Sequence, residues 1–138
     1  MHLLPIRKDI WELYAVCDEK GKCEFLEFLG ELNKKYNGSI ENIMSVLARV
    51  SKDPHGPRNL PDEISHYVDQ REKIFEFIAG DIRLLWFFPG NGKVIICVNA
   101  FLKKGKKTPQ KLTNKAILAK KSYLQDYKHN RIYILEKK

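Results

Sequence analysis

The sequence predicts an α+β fold: an N-terminal strand, a helical hairpin packed on a twisted antiparallel sheet, and a C-terminal basic helix. Three observations carry this. Two helical periodicities fill the first half of the chain. Three apolar runs rich in aromatic and β-branched residues follow, separated by turn residues. A lysine-rich helical pattern ends the chain. With 138 residues and a hydrophobic fraction of 43%, the chain is expected to form one domain over residues 1–138 with a core of its own.

The elements read in order. Ile10 to Val16 (IWELYAV) alternates loosely and stops at a polar DEKGK, which predicts the first strand. From Cys23 to Tyr36, Phe25, Phe28/Leu29, Leu32 and Tyr36 recur at helical spacing, with Asn37-Gly38 as the stop. Ser39 then serves as N-cap of a second helix whose apolar stripe is Ile40, Ile43/Met44, Leu47 and Val50. So short a break implies that the two helices form a hairpin. Residues 52–63, KDPHGPRNLPDE, hold three prolines and a glycine and read as a loop. The next segment, ISHYVD, is too short to assign.

Three strands come next, over residues 74–78, 82–88 and 93–102. Ala79-Gly80-Asp81 turns the first into the second, and Pro89-Gly90-Asn91-Gly92 turns the second into the third. Their near-continuous apolarity predicts a sheet covered on both faces. Thr108-Pro109 reads as an N-cap followed by proline at the first helical position. In the helix beyond, Leu112, Ala116, Ala119, Tyr123 and Tyr127 share one face, and lysines fill much of the rest. The tail RIYILEKK is either a short strand or a docking segment.

Charge divides the chain. Residues 1–102 carry 13 Lys/Arg against 15 Asp/Glu, a net of −2, whereas residues 103–138 carry 12 against 2, a net of +10. So basic an end attracts polyanions through counterion release, although a merely solvated cationic helix is the plain alternative. No apolar run reaches the roughly 18 to 20 residues that span a bilayer. The start lacks the plan of a signal peptide. A cytoplasmic protein without a membrane partner is expected. Cys17, Cys23 and Cys97 show no metal-ligand spacing and read as free thiols. The four histidines show no such spacing either, and no metal is expected.

Two features stand out as candidate chemistry. Arg83 lies among apolar residues, and a buried guanidinium without a partner is very costly. It either pairs with Asp81 or Glu76 at a strand end or faces a site. Strand alternation puts Arg83, Leu85 and Phe87 on one face and Leu84, Trp86 and Phe88 on the other. Lys103, Lys104, Lys106 and Lys107 surround Gly105 just after the third strand. Antiparallel pairing of residues 82–88 with 93–102 brings this lysine group to Arg83. The plain reading of the lysines is a solvated strand end.

These motifs resemble the RelE/HigB-like toxins of type II toxin–antitoxin systems, and most of all the phage-derived HigB-like branch. The matching pattern is Phe75-Glu76-Phe77, then Ile82 to Phe87, a glycine turn, a second apolar strand, Phe101-Leu102-Lys103-Lys104, and Lys107-Thr108-Pro109 before a helix ending Asp126-Tyr127. It covers residues ~70–128. The resemblance implies a RelE/ParE-like fold and an mRNA endoribonuclease without cofactor or metal, acting on the translating ribosome and held in check by an antitoxin, expected to be of helix-turn-helix type. The RNA 2′-OH would attack the adjacent phosphate, leaving a 2′,3′-cyclic phosphate. Arg83 would stabilise the phosphate and one of Lys103 and Lys104 would be the acid, with Glu76 as candidate base. Lys73, Lys106, Lys107, Lys111 and Lys115 would hold RNA. RelE-type chains carry a tyrosine after the basic pair. Thr108-Pro109-Gln110 stands there here, which leaves Tyr127 as a distant substitute. The alternative within the same fold is a ParE-like toxin that cuts nothing and poisons DNA gyrase. A third reading is a binding module without catalysis.

Overall fold

The computed structural model describes residues 1–136. Seven strands, β1 (His2–Lys8), β2 (Glu12–Cys17), β3 (Ser65–Asp69), β4 (Ile74–Ala79), β5 (Ile82–Phe87), β6 (Val94–Leu102) and β7 (Tyr133–Ile134), form one sheet in the order β3-β4-β5-β6-β2-β1-β7. Helices α1 (Glu24–Glu31), α2 (Asn37–Lys52) and α3 (Gln110–Lys128) pack against it. The sheet is antiparallel except where β2 meets β6 and β1 meets β7.

Strand β5 is buried along its whole length, and alternation divides its side chains. Ile82, Leu84 and Trp86 join Phe25, Ile43, Leu47 and Val50 of α1 and α2 in one core. Leu85 and Phe87 join Ala116 and Tyr123 of α3 in a second core on the opposite face. The third apolar layer is therefore α3, which covers the face that α1 and α2 leave open.

The expected first strand is present as β2, and the expected meander as β4, β5 and β6. Two strands escape sequence reading. Pro5, which argues against a strand, is accommodated in β1 beside an irregularity in its pairing with β2 between Pro5 and Arg7. Residues of ISHYVD form β3, an edge strand paired among the described residues with β4 alone. The tail supplies β7, which pairs through Tyr133 and Ile134 with His2 and Leu3.

The helix boundaries shift for local reasons. Helix α1 stops at Leu32, whose ψ of 143° is extended. Asn33 then accepts a hydrogen bond from the Lys35 N–H and caps a single 3-10 turn. Asn37-Gly38 opens α2 instead of ending its predecessor. The N–H groups of a first helical turn have no intrahelical partner, so a glycine there forfeits little. Ser39 is consequently not the N-cap. Its Oγ accepts the Asp81 N–H across the β4–β5 turn, at 3.2 Å.

That turn is tight. Gly80 has φ +58°, and a Cβ on it would lie 2.3 Å from Ser39 Oγ. All three cysteines are free. Burial pushes the Cys17 thiol up to about 11, so it is almost wholly protonated at neutral pH and a poor nucleophile.

We expect Gly80→Ala to destabilise the fold by about 1–3 kcal/mol, from backbone strain plus the clash. Urea unfolding measures it. Ser39→Gly in the same chain removes the clashing atom and should recover part of the loss.

Candidate active site

The α3 face of the sheet carries a polar exception at the β3 edge. Glu76 of β4 is 4% exposed, and an ionised carboxylate at that depth needs hydrogen-bond donors. It has two. His66, directly opposite on β3, places Nε2 2.8 Å from Oε2. Thr108 donates its hydroxyl to Oε1, also at 2.8 Å. The His66 Nδ1 lies 3.0 Å from the Asp62 carbonyl oxygen, which can only accept, so Nδ1 carries a proton. A further proton must lie between Nε2 and Glu76. Thr108 donates to the other oxygen, so both carboxyl oxygens of Glu76 are engaged.

Arg83 sits diagonally across from Glu76, paired with Ile78 on β4 and with Phe101 on β6. It shares its face with Leu85 and Phe87, as alternation requires, and is 9% exposed. Among the described residues it pairs with neither Asp81 nor Glu76. Its Nη1 donates to the carbonyl oxygens of Gly80, at 2.7 Å, and Ile82, at 3.1 Å. Two neutral acceptors hold one corner of the guanidinium in place and leave its charge uncompensated. Its Nε and Nη2 make no protein hydrogen bond among the described residues and can serve an anion.

The lysines complete the site. The Lys103 N–H donates to the Asp81 carbonyl oxygen at 2.9 Å, which ties the end of β6 to the β4–β5 turn. Lys103, Lys104, Lys106 and Lys107 then line one cavity of about 110 Å³ with His66, Glu76, Arg83 and Thr108. All four lysines are exposed. A buried guanidinium and a rim of ammonium groups facing one carboxylate make a strongly cationic pocket of phosphate size.

The structure thus brings together six of the residues singled out from sequence: Glu76, Arg83, Lys103, Lys104, Lys106 and Lys107. Four others lie elsewhere. Lys73 lines a second, larger cleft. Lys111 is exposed on the first turn of α3. Lys115 is engaged with both oxygens of Glu24, at 2.5 and 2.6 Å. Tyr127 is 52% exposed near the C-terminal end of α3, stacked on Tyr123 at 5.9 Å, too far along the helix to replace a tyrosine beside the lysines.

Sequence reading passed over His66 and Thr108. Metal-ligand spacing is no guide to His66, which is defined by its cross-strand register with Glu76. Thr108 reads as an N-cap, but Pro109 occupies that position, with no side-chain capping bond. The threonine hydroxyl goes to Glu76 instead.

Residues 27–121, 95 of the 138, match the phage-derived Gp49-like protein family (DUF891). The chain belongs to that family. It is a RelE/HigB-like family of toxins from toxin–antitoxin systems, and membership implies a cognate antitoxin as partner. No curated protein matches the chain. The matched span holds every residue of the pocket and omits β1, β2 and β7, which extend the sheet on the side away from it.

Glu76 is the clamp that joins the edge strand to the lysine loop. Glu76→Leu should free both His66 and Thr108, and hydrogen exchange should accelerate at the amides of residues 103–108 while the β5 amides keep their protection. Unchanged exchange in the loop would show that other contacts hold it.

Proposed function

We propose that this protein is the toxin of a type II toxin–antitoxin pair of the HigB-like branch, and that it is a metal-independent mRNA endoribonuclease acting on the translating ribosome. The observation that carries the reading is the convergence of Arg83, Glu76 and the four lysines on one phosphate-sized cavity. Ribonuclease chemistry of this kind requires a group to take the 2′-OH proton, fixed positive charge around the phosphate, and a proton for the leaving oxygen. The cavity holds a group suited to each.

The 2′-oxygen attacks phosphorus as its proton passes to Glu76, whose oxygens each keep a lone pair beyond the one used by His66 or Thr108. The His66 ring, 2.8 Å from Oε2, keeps Glu76 aimed. Arg83, with Nε and Nη2 free, neutralises the charge that builds on the non-bridging oxygens. The bond to the 5′-oxygen breaks with its electron pair, and that oxygen takes a proton from Lys103 or Lys104. The products are a 2′,3′-cyclic phosphate and a 5′-hydroxyl. Lys106 and Lys107 hold the flanking backbone. The net charge of +10 over residues 103–138 favours the ribosome and its message as the place of action. It also favours an acidic surface on the antitoxin, which we infer to be of helix-turn-helix type.

The test is induced expression in cells with RNA 5′ ends mapped across the transcriptome. New 5′-hydroxyl ends within reading frames are expected, and these should vanish with Arg83→Ala. On purified ribosome complexes, Arg83→Ala should lower the cleavage rate by about 10²–10³-fold, the usual loss when one donor to a developing oxyanion is removed. Glu76→Gln should cost about 10²–10⁴-fold. Cleavage should persist in EDTA at a concentration that leaves the ribosomes intact. Growth arrest with intact message and accumulating DNA breaks would overturn the nuclease reading in favour of gyrase poisoning.

A further inference from the structure

A cleft of about 920 Å³ lies outside the cationic pocket, at the β3 edge of the sheet, and His66 lines both cavities. We propose that this cleft is a nucleobase-binding subsite for single-stranded RNA, which stacks a base on Tyr67 while the neighbouring phosphates meet Lys73 and Lys120.

The wall of the cleft is a row of stacked rings crossing three strands. Tyr67 of β3 stacks on Phe75 of β4 with centroids 4.3 Å apart, and Phe75 stacks on Trp86 of β5 at 4.4 Å. The row follows the register, in which Tyr67 is opposite Phe75 and Phe75 opposite Trp86. Its inner end is closed by the core. Its outer end is Tyr67, 45% exposed on an edge strand, so one more ring can be added to the stack. An exposed aromatic that terminates a stacked column is what a nucleobase uses, whatever its identity. Phe88 meets Phe75 edge-on at 5.3 Å. The Arg58 guanidinium lies 4.8 Å from the Phe88 ring centroid, which puts a cation beside the same wall.

Charge favours a polyanion over an apolar peptide. Arg58, Lys73 and Lys120 line the cleft against one carboxylate, Asp62. Lys73 and Lys120 are close enough to repel, and Lys120 is half-buried. Burial first, then Lys73, holds its ammonium below the usual lysine range, against a weaker pull from Glu72. A phosphate between the two relieves that repulsion. Lys73 also holds a left-handed backbone, φ +56°, which glycine or asparagine adopts more easily.

The inference rests on the ribonuclease reading for its ligand, and its test is a binding measurement that needs no cleavage. The probe is a fluorescein-labelled 2′-O-methyl RNA hexamer, which lacks the attacking hydroxyl, followed by anisotropy. An abasic hexamer of the same backbone is the control. Tyr67→Ala should weaken the base-bearing hexamer about five- to hundred-fold, the range that stacking one base supplies, and leave the abasic one unchanged. Tyr67→Phe should bind as wild type. Lys73→Ala with Lys120→Ala should weaken both probes and flatten the salt dependence. Equal binding of the base-bearing hexamer by wild type and Tyr67→Ala would overturn the proposal and leave the cleft to a protein segment. Tyr67-dependent binding in a protein that cuts no RNA would sustain this subsite and sink the nuclease reading. Cleavage lost with Arg83→Ala, but hexamer binding indifferent to Tyr67, would do the reverse.

Discussion

Strand β5 is buried from end to end, and most of the fold follows from covering it. A strand with both faces apolar must be roofed twice, so α1 and α2 take one side and α3 the other. It must also be flanked by strands, which β4 and β6 supply. Into this apolar layer the sequence inserts one guanidinium, Arg83. The strand tolerates it because Gly80 in the tight turn and Ile82 at the strand's start present their carbonyl oxygens to one of its nitrogens. Those acceptors fix the side chain without neutralising it. A positive charge held rigidly in a poorly solvated corner acts on a phosphate far more strongly than the same charge on a solvated stem.

Glu76 plays the complementary part. An unpartnered carboxylate at that depth would be protonated or would destabilise the fold. Its two donors come from parts of the chain distant in sequence, His66 on the edge strand and Thr108 before α3. Satisfying one buried charge therefore closes the pocket on two sides. The lysines gain a defined position from this, since they lie in the short span between the Lys103 amide, anchored to Asp81, and the Thr108 hydroxyl, anchored to Glu76. The loop could otherwise be a solvated strand end, which is how a run of lysines usually behaves. The same edge strand carries His66 toward Glu76 and Tyr67 toward the aromatic row, because consecutive strand residues face opposite ways. Strand β3 thus borders both cavities.

The amino-acid sequence by itself determined the α+β class, the three-strand meander, the face on which Arg83 lies and its meeting with the lysine group. Each rests on a short-range rule: the period of two in a strand, the turn chemistry of Gly80-Asp81, and antiparallel return of the chain. These rules act over a few residues, and nothing distant outweighs them. Tertiary structure alone decided the rest. β1 and β3 exist because neighbouring strands supply partners that their own composition does not advertise. Asn37-Gly38 begins a helix because packing of Ile43, Leu47 and Val50 outweighs a local stop signal. His66 and Thr108 joined the pocket through the hydrogen-bond requirement of Glu76, ten and thirty-two residues away in the chain. Their residue types alone carry no trace of it, because the cost of burying a carboxylate arises only when the sheet and α3 have excluded water around it.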